Sequence, residues 1–207
     1  LTGSSTFVDY PGNSVGVQTY NNLTVDGSAV LTATGGTVNG NYTTETEAMS
    51  VGLYIRADAP TISGSGTVVA SGGESDYGNK GNSTSESSCG IHGEVPSLTI
   101  DGTTVIATGG TVCTEKTSSD YYTGGVSYGM HLPGASLILQ NDAKLTATGG
   151  ENPNYSTNSS RPSYVNDSYG AYIKGDITVP AGVTLNGNGK QINGDISFAL
   201  VVTAKGN

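Results

Sequence analysis

The sequence has little charge and very few cationic residues. Only 12% of its 207 residues are charged, and eight Lys and Arg residues against 17 Asp and Glu leave a formal net charge of −9. Binding to a phosphate backbone needs a concentrated basic patch, whereas these eight residues are spread along the chain. No apolar run approaches the roughly 18–20 residues that span a bilayer. We therefore predict neither a nucleic-acid partner nor membrane insertion.

Cysteine and tryptophan are also scarce. The chain has two Cys and no Trp, and 12 of its 14 aromatic residues are Tyr. Two cysteines are too few for a disulfide framework. What the chain has instead is Gly, at 32 residues, together with abundant Ser, Thr, Asn and Tyr. This Lys-poor, acidic composition predicts an extracellular or surface-attached protein, and we expect it to be monomeric.

One short phrase, Ser followed by any residue and then Gly, recurs along the chain with spacings of 36, 38, 39 and 41 residues. A second phrase, Ala-Thr/Ser-Gly-Gly, follows the first four copies, so that the segment from the Ser to the second Gly is always 23 or 24 residues long. The insert after it varies from 13 to 17 residues. A constant segment with a variable insert is typical of a solenoid whose loops leave from one corner. The glycines of the first phrase are Gly16, Gly52, Gly90, Gly129 and Gly170.

Within the constant segment the apolar residues alternate with other residues, which is the period of a β-strand. The first run has apolar residues one and three positions past the glycine. Two more runs follow, separated by turn signals such as Asp101 with Gly102. In the third run Val68, Val105 and Leu145 occupy equivalent positions, so we expect them to stack in one interior ladder. This pattern therefore predicts that each repeat forms three short strands followed by a long loop.

Three short strands per repeat predict an all-β fold, a right-handed parallel β-helix (solenoid) of about five coils with long loops at one corner. Equivalent positions of adjacent coils then lie about 4.8 Å apart. A β-propeller is the alternative, but its blades carry four strands. We expect one domain over residues 1–207, as a piece of a longer array. It comprises a partial coil at 1–13 and coils at 14–49, 50–87, 88–126, 127–167 and 168–207.

The repeated phrases resemble those of a known group of proteins. The Ser-x-Gly-hydrophobic phrase, the Leu-Thr-Ile-Asp-Gly turn at 98–102 and Ala-Thr-Gly-Gly are similar to right-handed parallel β-helix modules of secreted or cell-surface proteins of gut Firmicutes. The resemblance covers residues 14 to about 190. It implies the fold and a carbohydrate-binding or adhesin-like role, although pectate-lyase-like β-helices also include lyases, hydrolases and inert stalks.

The first strand of each coil offers a candidate binding surface. If the residues one and three past the glycine face inward, the glycine and the residue two past it face outward. Stacked planar side chains beside a glycine groove suit the apolar faces of sugar rings. The alternative is that the column only stabilises the sheet by cross-strand packing. The column consists of Gln18, Tyr54, His92, His131 and Tyr172.

Two neighbouring pairs belong to the same surface. His92 and His131 lie on adjacent coils and could share a metal ion, but such sites usually need three or four ligands, and the nearest outward candidate is Glu94. We therefore predict exposed stacking of the two rings, with no metal and no cofactor. Two positions further along, Arg56 and Glu94 should be neighbours and form a surface ion pair, worth under about 1 kcal/mol.

These features favour a non-enzymatic, adhesin-like scaffold. We expect it to bind a glycan or another host or cell-wall surface polymer, through the exposed column or through the loop corner. A polysaccharide lyase or hydrolase is one alternative, although a hydrolase needs two carboxyl groups about 5–9.5 Å apart and the acids do not cluster in the sequence. An inert structural stalk is the other alternative.

The two cysteines fall within one predicted coil. Cys89 precedes Gly90 on the parity expected to face inward, and Cys113 lies three residues past Gly110. Because a coil returns close to its start, the two residues are candidates for a disulfide, which requires a Cα distance of about 4.4–6.8 Å. The alternative is that Cys89 fills the core as a small apolar residue.

Overall fold

The computed structural model describes residues 6–7, 13–39, 48–76, 86–112, 126–151, 167–190 and 197–203. Every regular element within these ranges is a β-strand. Among the residues described here there is no helix of the length and apolarity that a membrane crossing requires. Most of each variable insert lies outside these ranges, and so does Cys113.

The strands form four parallel sheets that run along the stack of coils. The first sheet contains β2 (Ser14–Thr19), β6 (Ala48–Ile55), β10 (Glu86–Gly93), β13 (Val126–Leu132), β16 (Ser168–Lys174) and β19 (Ser197–Thr203). The second contains β3 (Leu23–Thr24), β7 (Thr61–Ser63), β11 (Ser97–Asp101), β14 (Ser136–Gln140) and β17 (Ile177–Thr178). The third contains β4 (Val30–Thr34), β8 (Thr67–Ser71), β12 (Thr104–Thr108), β15 (Lys144–Thr148) and β18 (Thr184–Asn188). The fourth is short and contains β1 (Thr6–Phe7), β5 (Val38–Asn39) and β9 (Ser75–Asp76).

The sheet order confirms the predicted all-β parallel solenoid. Strands of the same sheet come from successive repeats and pair in parallel, so that each repeat advances the chain by one coil. Two details differ from the prediction. β19 pairs with β16 and starts a further turn inside the last predicted coil, at 168–207. The beginning of the insert forms the additional fourth sheet, where a loop was expected.

The interior is a continuous aliphatic core. Val68 pairs with Val105 and Val105 pairs with Leu145, and the side chains of all three are fully buried, which confirms the predicted ladder. A ladder of alanines runs beside it, with Ala70 next to Ala107 and Ala107 next to Ala147 in the same strands. Their small side chains allow the third sheet to approach the first across the coil.

A ladder of serines joins the two repeated phrases at one corner. Ser50 Oγ donates a hydrogen bond to the carbonyl of Gly36 at 2.7 Å and accepts one from the amide of Gly73 at 2.8 Å. Ser127 makes the same two bonds with Gly110 and Gly150, both at 2.8 Å. Each serine hydroxyl therefore satisfies backbone groups of two adjacent coils, which explains why the Ser and Gly-Gly phrases recur together.

The glycine of the Ser-x-Gly phrase points into the coil, and this corrects the predicted parity. A Cβ placed on Gly90 would lie 2.5 Å from the backbone nitrogen of Thr108, and one on Gly52 would lie 2.5 Å from that of Ser71. The third sheet therefore approaches the first sheet at each of these glycines. Because the glycine and the following apolar residue both face inward, strict alternation breaks here. The expected outer groove along the glycines is absent from the described residues.

Candidate functional site

Two columns of side chains share the outer face of the first sheet. One column holds the residue before each inward glycine, and the other holds the residue two positions past it. The break in alternation places both columns on one face, as shown by the stacking of Tyr128 on His131 with ring centroids 4.2 Å apart and planes 11° apart. We refer to the two columns as the outer cluster. It consists of Val15, Val51, Cys89, Tyr128, Tyr169 and Phe198 in one column and Gln18, Tyr54, His92, His131, Tyr172 and Val201 in the other.

Aromatic rings of the outer cluster stack along the axis of the solenoid. Tyr128 stacks on Tyr169 at 5.1 Å and Tyr169 stacks on Phe198 at 5.0 Å, with planes 15° and 6° apart. Tyr172 meets Tyr169 edge-on at 5.7 Å. Such pairs contribute about 0.5–1.5 kcal/mol each beyond the area they bury. The stacking therefore stabilises the sheet, as the packing alternative predicted.

The expectation of an exposed column is wrong for its central members. Tyr54 is 5% exposed and His92 is 4% exposed, while His131 and Tyr172 are partly buried. Of the five predicted residues, only Gln18 is exposed. Adjacent rings and the second column cover one another, because both columns project from the same face. Sugar rings therefore have no open platform at Tyr54 and His92.

Cys89 belongs to the outer cluster and not to the aliphatic interior. It is fully buried and packs with Met49, Val51 and Tyr54. The predicted inward parity of Cys89 is wrong, because Gly90 takes the inward position beside it. Burial raises the pKa of its thiol. Within the described residues Cys89 has no disulfide partner, and since Cys113 lies outside them the pairing with Cys113 stays a prediction.

The two histidines are in direct contact. The Nδ1 atoms of His92 and His131 lie 3.1 Å apart, and the ring centroids lie 5.0 Å apart. The two residues are paired on adjacent strands (successive rungs of the sheet), as predicted, but they are not solvent-exposed. Burial lowers the pKa of His92 to about 4, against the opposing effect of Glu94, and lowers the pKa of His131 to about 3. Both imidazoles are therefore neutral at pH 7.

A polar group lies where three strands of the first sheet end. The amide of Arg56 donates to the carbonyl of Thr19 at 2.9 Å, and the amide of Glu94 donates to that of Ile55 at 3.1 Å. Tyr20, Arg56 and Glu94 therefore occupy successive rungs. We call these three residues and Gln18 the strand-end group.

The strand-end group is held by its own contacts. Arg56 and Glu94 form the predicted ion pair, with 3.1 Å between guanidinium nitrogen and carboxylate oxygen. The hydroxyl of Tyr54 donates to Glu94 at 2.5 Å, and Gln18 donates to the hydroxyl of Tyr20 at 2.8 Å. The hydrogen bond from Tyr54, followed by the charge of Arg56, lowers the pKa of Glu94. Burial and Glu94 raise the pKa of Tyr54 to about 12.

Sequence reasoning missed one groove, of about 420 Å³, at the corner formed by the Gly-Gly phrases. Threonines and glycines of three successive coils line it, together with Glu151 and Lys190, which form an ion pair. The signal was present in the repeated Gly-Gly, because the glycines themselves have no side chains to fill this corner. The surface that lines the groove is mainly apolar, and its two charged side chains pair with one another.

Comparison with known proteins adds no assignment, because no known protein family, curated protein or solved structure matches the chain.

Proposed function

We propose that the chain is a non-enzymatic extracellular scaffold of the adhesin type, which binds a carbohydrate chain at the strand-end group. The observation that carries this proposal is the exposed ring of Tyr20 beside the Arg56–Glu94 pair and the amide of Gln18. Carbohydrate recognition needs an exposed flat apolar face together with hydrogen-bonding groups at its edge, and the strand-end group supplies both.

Exposure distinguishes Tyr20 from the other rings of this sheet. The side chain of Tyr20 is 62% exposed, whereas Tyr54 on the next rung is 5% exposed. Arg56 and Glu94 are also accessible, at 47% and 44% of their side-chain surface. A ligand can therefore contact the ring of Tyr20 and the two charged groups without any rearrangement of the outer cluster.

The strand-end group is ordered before a ligand arrives. Glu94 accepts hydrogen bonds or ion-pair contacts from Tyr54 and Arg56, and the hydroxyl of Tyr20 is held by Gln18. Side chains that are already ordered lose less conformational entropy on binding, which favours affinity for a weakly apolar ligand such as a sugar. The strand-end group also extends over three adjacent coils along the axis, which suits an extended polymer.

A glycan array probed with the purified chain tests the proposal. We expect binding to one class of glycan, with affinity reduced about tenfold or more by Tyr20→Ala and by Arg56→Ala, a loss of about 1.4 kcal/mol. The matched control is Val30→Ala, because Val30 is 61% exposed but lies on the third sheet. This control should bind as the parent chain does.

Three results would contradict the proposal. Absence of binding to any glycan or cell-wall polymer would favour the inert stalk. Binding that is unaffected by both variants would place the site elsewhere, with the groove at the Gly-Gly corner as the next candidate. Release of new reducing ends from a bound polysaccharide would favour the enzyme.

A further inference from the structure

The inward glycine of the third repeat brings three metal-binding side chains together. Cys89 and His92 lie on β10, on either side of Gly90 and Ile91, which both face inward. His131 lies opposite His92 on the neighbouring strand β13. The sequence indicated only the two histidines, because strict alternation placed Cys89 on the other face of the sheet.

The three ligand atoms are close enough to share one ion. The Sγ of Cys89 and one ring nitrogen each of His92 and His131 all lie within 4.8 Å of one another. The two Nδ1 atoms, at 3.1 Å, are already near the roughly 3.3–3.5 Å separation of two nitrogens bound at about 2.0 Å to one metal ion. Binding of one ion requires the sulfur to move closer to the two nitrogens than this limit of 4.8 Å.

A carboxylate lies near one imidazole, although not within hydrogen-bonding distance of it. The Nε2 of His92 lies 3.9 Å from the Oε1 of Glu94, on the side of the ring away from His131. Metal-bound histidines almost always donate the distant ring N–H to a carboxylate, carbonyl or water, which leaves the other nitrogen to bind the ion. If metal binding draws the carboxylate of Glu94 onto the Nε2 proton of His92, the Nδ1 lone pair is directed toward the shared position.

We propose that Cys89, His92 and His131 form a binding site for one copper(I) ion. One soft thiolate with two imidazoles is the donor set of trigonal copper sites. Structural zinc sites use four protein ligands, and among the described residues no carboxylate joins this group of three. As the copper–sulfur bond forms, the thiol proton of Cys89 passes to solvent.

The surroundings suit an ion of low charge. Cys89 is fully buried, His92 is 4% exposed, and Met49, Val51 and Tyr54 pack around the thiol. A dry and largely apolar shell restricts access of water to the ion. The donor set is particular to this coil, since the adjacent rungs place Val51 and Tyr128 opposite Cys89.

Anaerobic titration of the reduced full chain with copper(I), in competition with a chromophoric copper(I) chelator, tests the site. We expect one copper per chain, and X-ray absorption should show one sulfur and two nitrogen ligands. Two variants use residues that the solenoid already accepts in the same column of the outer cluster, Cys89→Val as at Val51 and His131→Gln as at Gln18. Loss of a residue that only supports a ligand can weaken metal binding by up to about 100-fold, and each of these two variants should weaken copper binding by more than that. Glu94→Gln should weaken it about tenfold.

The matched control is Cys113→Ser, which removes the other thiol and should leave copper binding unchanged. Far-ultraviolet circular dichroism of every variant verifies the β-fold. Binding that survives Cys89→Val, or that is lost in Cys113→Ser, would overturn the site. Tighter binding of zinc than of copper to the same three residues would overturn the choice of metal. Tyr20→Ala, which tests the carbohydrate proposal, should not change copper binding, so the two proposals can fail separately.

Discussion

The two faces of the first sheet differ in what they pack. Its inner face contributes Leu53, Ile91 and Met130 to an aliphatic core in which every coil repeats nearly the same chemistry. The chemistry of its outer face changes along the stack, from Val51 through Cys89 to Tyr128. The inner face is enclosed by the other sheets, so its volume is set by the whole coil. Side chains on the outer face are constrained mainly by the adjacent strands. Their identity can therefore vary from coil to coil and include reactive or metal-binding groups.

Side chains are buried on both faces, but the buried groups differ in their chemistry. Inside, removal of apolar side chains from water stabilises the fold by about 1.5–3 kcal/mol for each large residue. Outside, the buried groups include imidazoles and phenols, which need hydrogen-bonding partners. Tyr54 has Glu94 as its partner, and the two histidines have one another. The fold thus depends on the inner face, and the candidate chemistry is concentrated on the outer one.

Of the changes that test this difference between the two faces, a charge placed in the inner core should lower the stability most. Val105→Asp buries an unpaired carboxylate in a fully closed ladder, and we expect a loss of several kcal/mol that unfolds at least the central coils. The matched control is Ile106→Asp, one residue further along and 39% exposed, which should stay folded. Circular dichroism and thermal unfolding of the two variants provide the measurement. Equal stability of the two would contradict the inward register of the third sheet.

Truncation of a buried ring on the outer face should have the next largest effect. Tyr54→Ala removes a ring that is 5% exposed and leaves a cavity, so we expect the free energy of unfolding to fall by about 3 kcal/mol. Tyr20→Ala, one rung away and 62% exposed, should change it by less than about 0.5 kcal/mol. Chemical denaturation measures both values. If Tyr54→Ala is as mild as Tyr20→Ala, packing within the outer cluster does not stabilise the sheet.

The inward glycine that separates the two faces can be tested directly. Gly90→Ala places a Cβ 2.5 Å from the backbone nitrogen of Thr108 and 2.6 Å from the carbonyl oxygen of Gly129. Neither backbone atom can move freely, so we expect a destabilisation of about 1–3 kcal/mol. Gly134→Ala is the control, because nothing lies within 4 Å of its added Cβ. A neutral Gly90→Ala in thermal unfolding would mean that Gly90 faces outward, as strict alternation had predicted.

Removal of an exposed charge pair should have the smallest effect. Arg56→Ala breaks the ion pair with Glu94, but both side chains are close to half exposed, and such pairs contribute under about 1 kcal/mol. We expect a change in unfolding free energy within this limit, decreasing further at high salt. A loss of several kcal/mol would show that the strand-end group supports the fold rather than a ligand.

The repeat pattern was sufficient to predict the parallel coils and the pairing of Val68, Val105 and Leu145. It was also sufficient to predict that Arg56 and Glu94 would meet. In each case residues at the same position of successive repeats become neighbours in space, because a solenoid stacks equivalent positions. The further turn started by β19 was not predicted, since Ala199 stands there in place of the glycine of the first phrase.

The repeat pattern did not predict which side chains of the first sheet point outward. Alternation within a strand predicts which face a residue occupies only while the strand is regular, and the Ser-x-Gly phrase interrupts that regularity. Cys89 was therefore placed on the wrong face, as interior filler. Tyr54 lies on the predicted outer face, but it is buried there because the column of Val51 and Cys89 shares that face.

By itself, the sequence determined the parallel solenoid and the identity of its inner ladders, because period-two strands at a constant spacing can bury their apolar residues only by stacking. The tertiary structure decided where the interrupted strand points its side chains. That choice depends on how closely the third sheet approaches the first at Gly52 and Gly90, a distance between segments that local sequence does not encode. The grouping of Cys89 with His92 and His131 is its consequence.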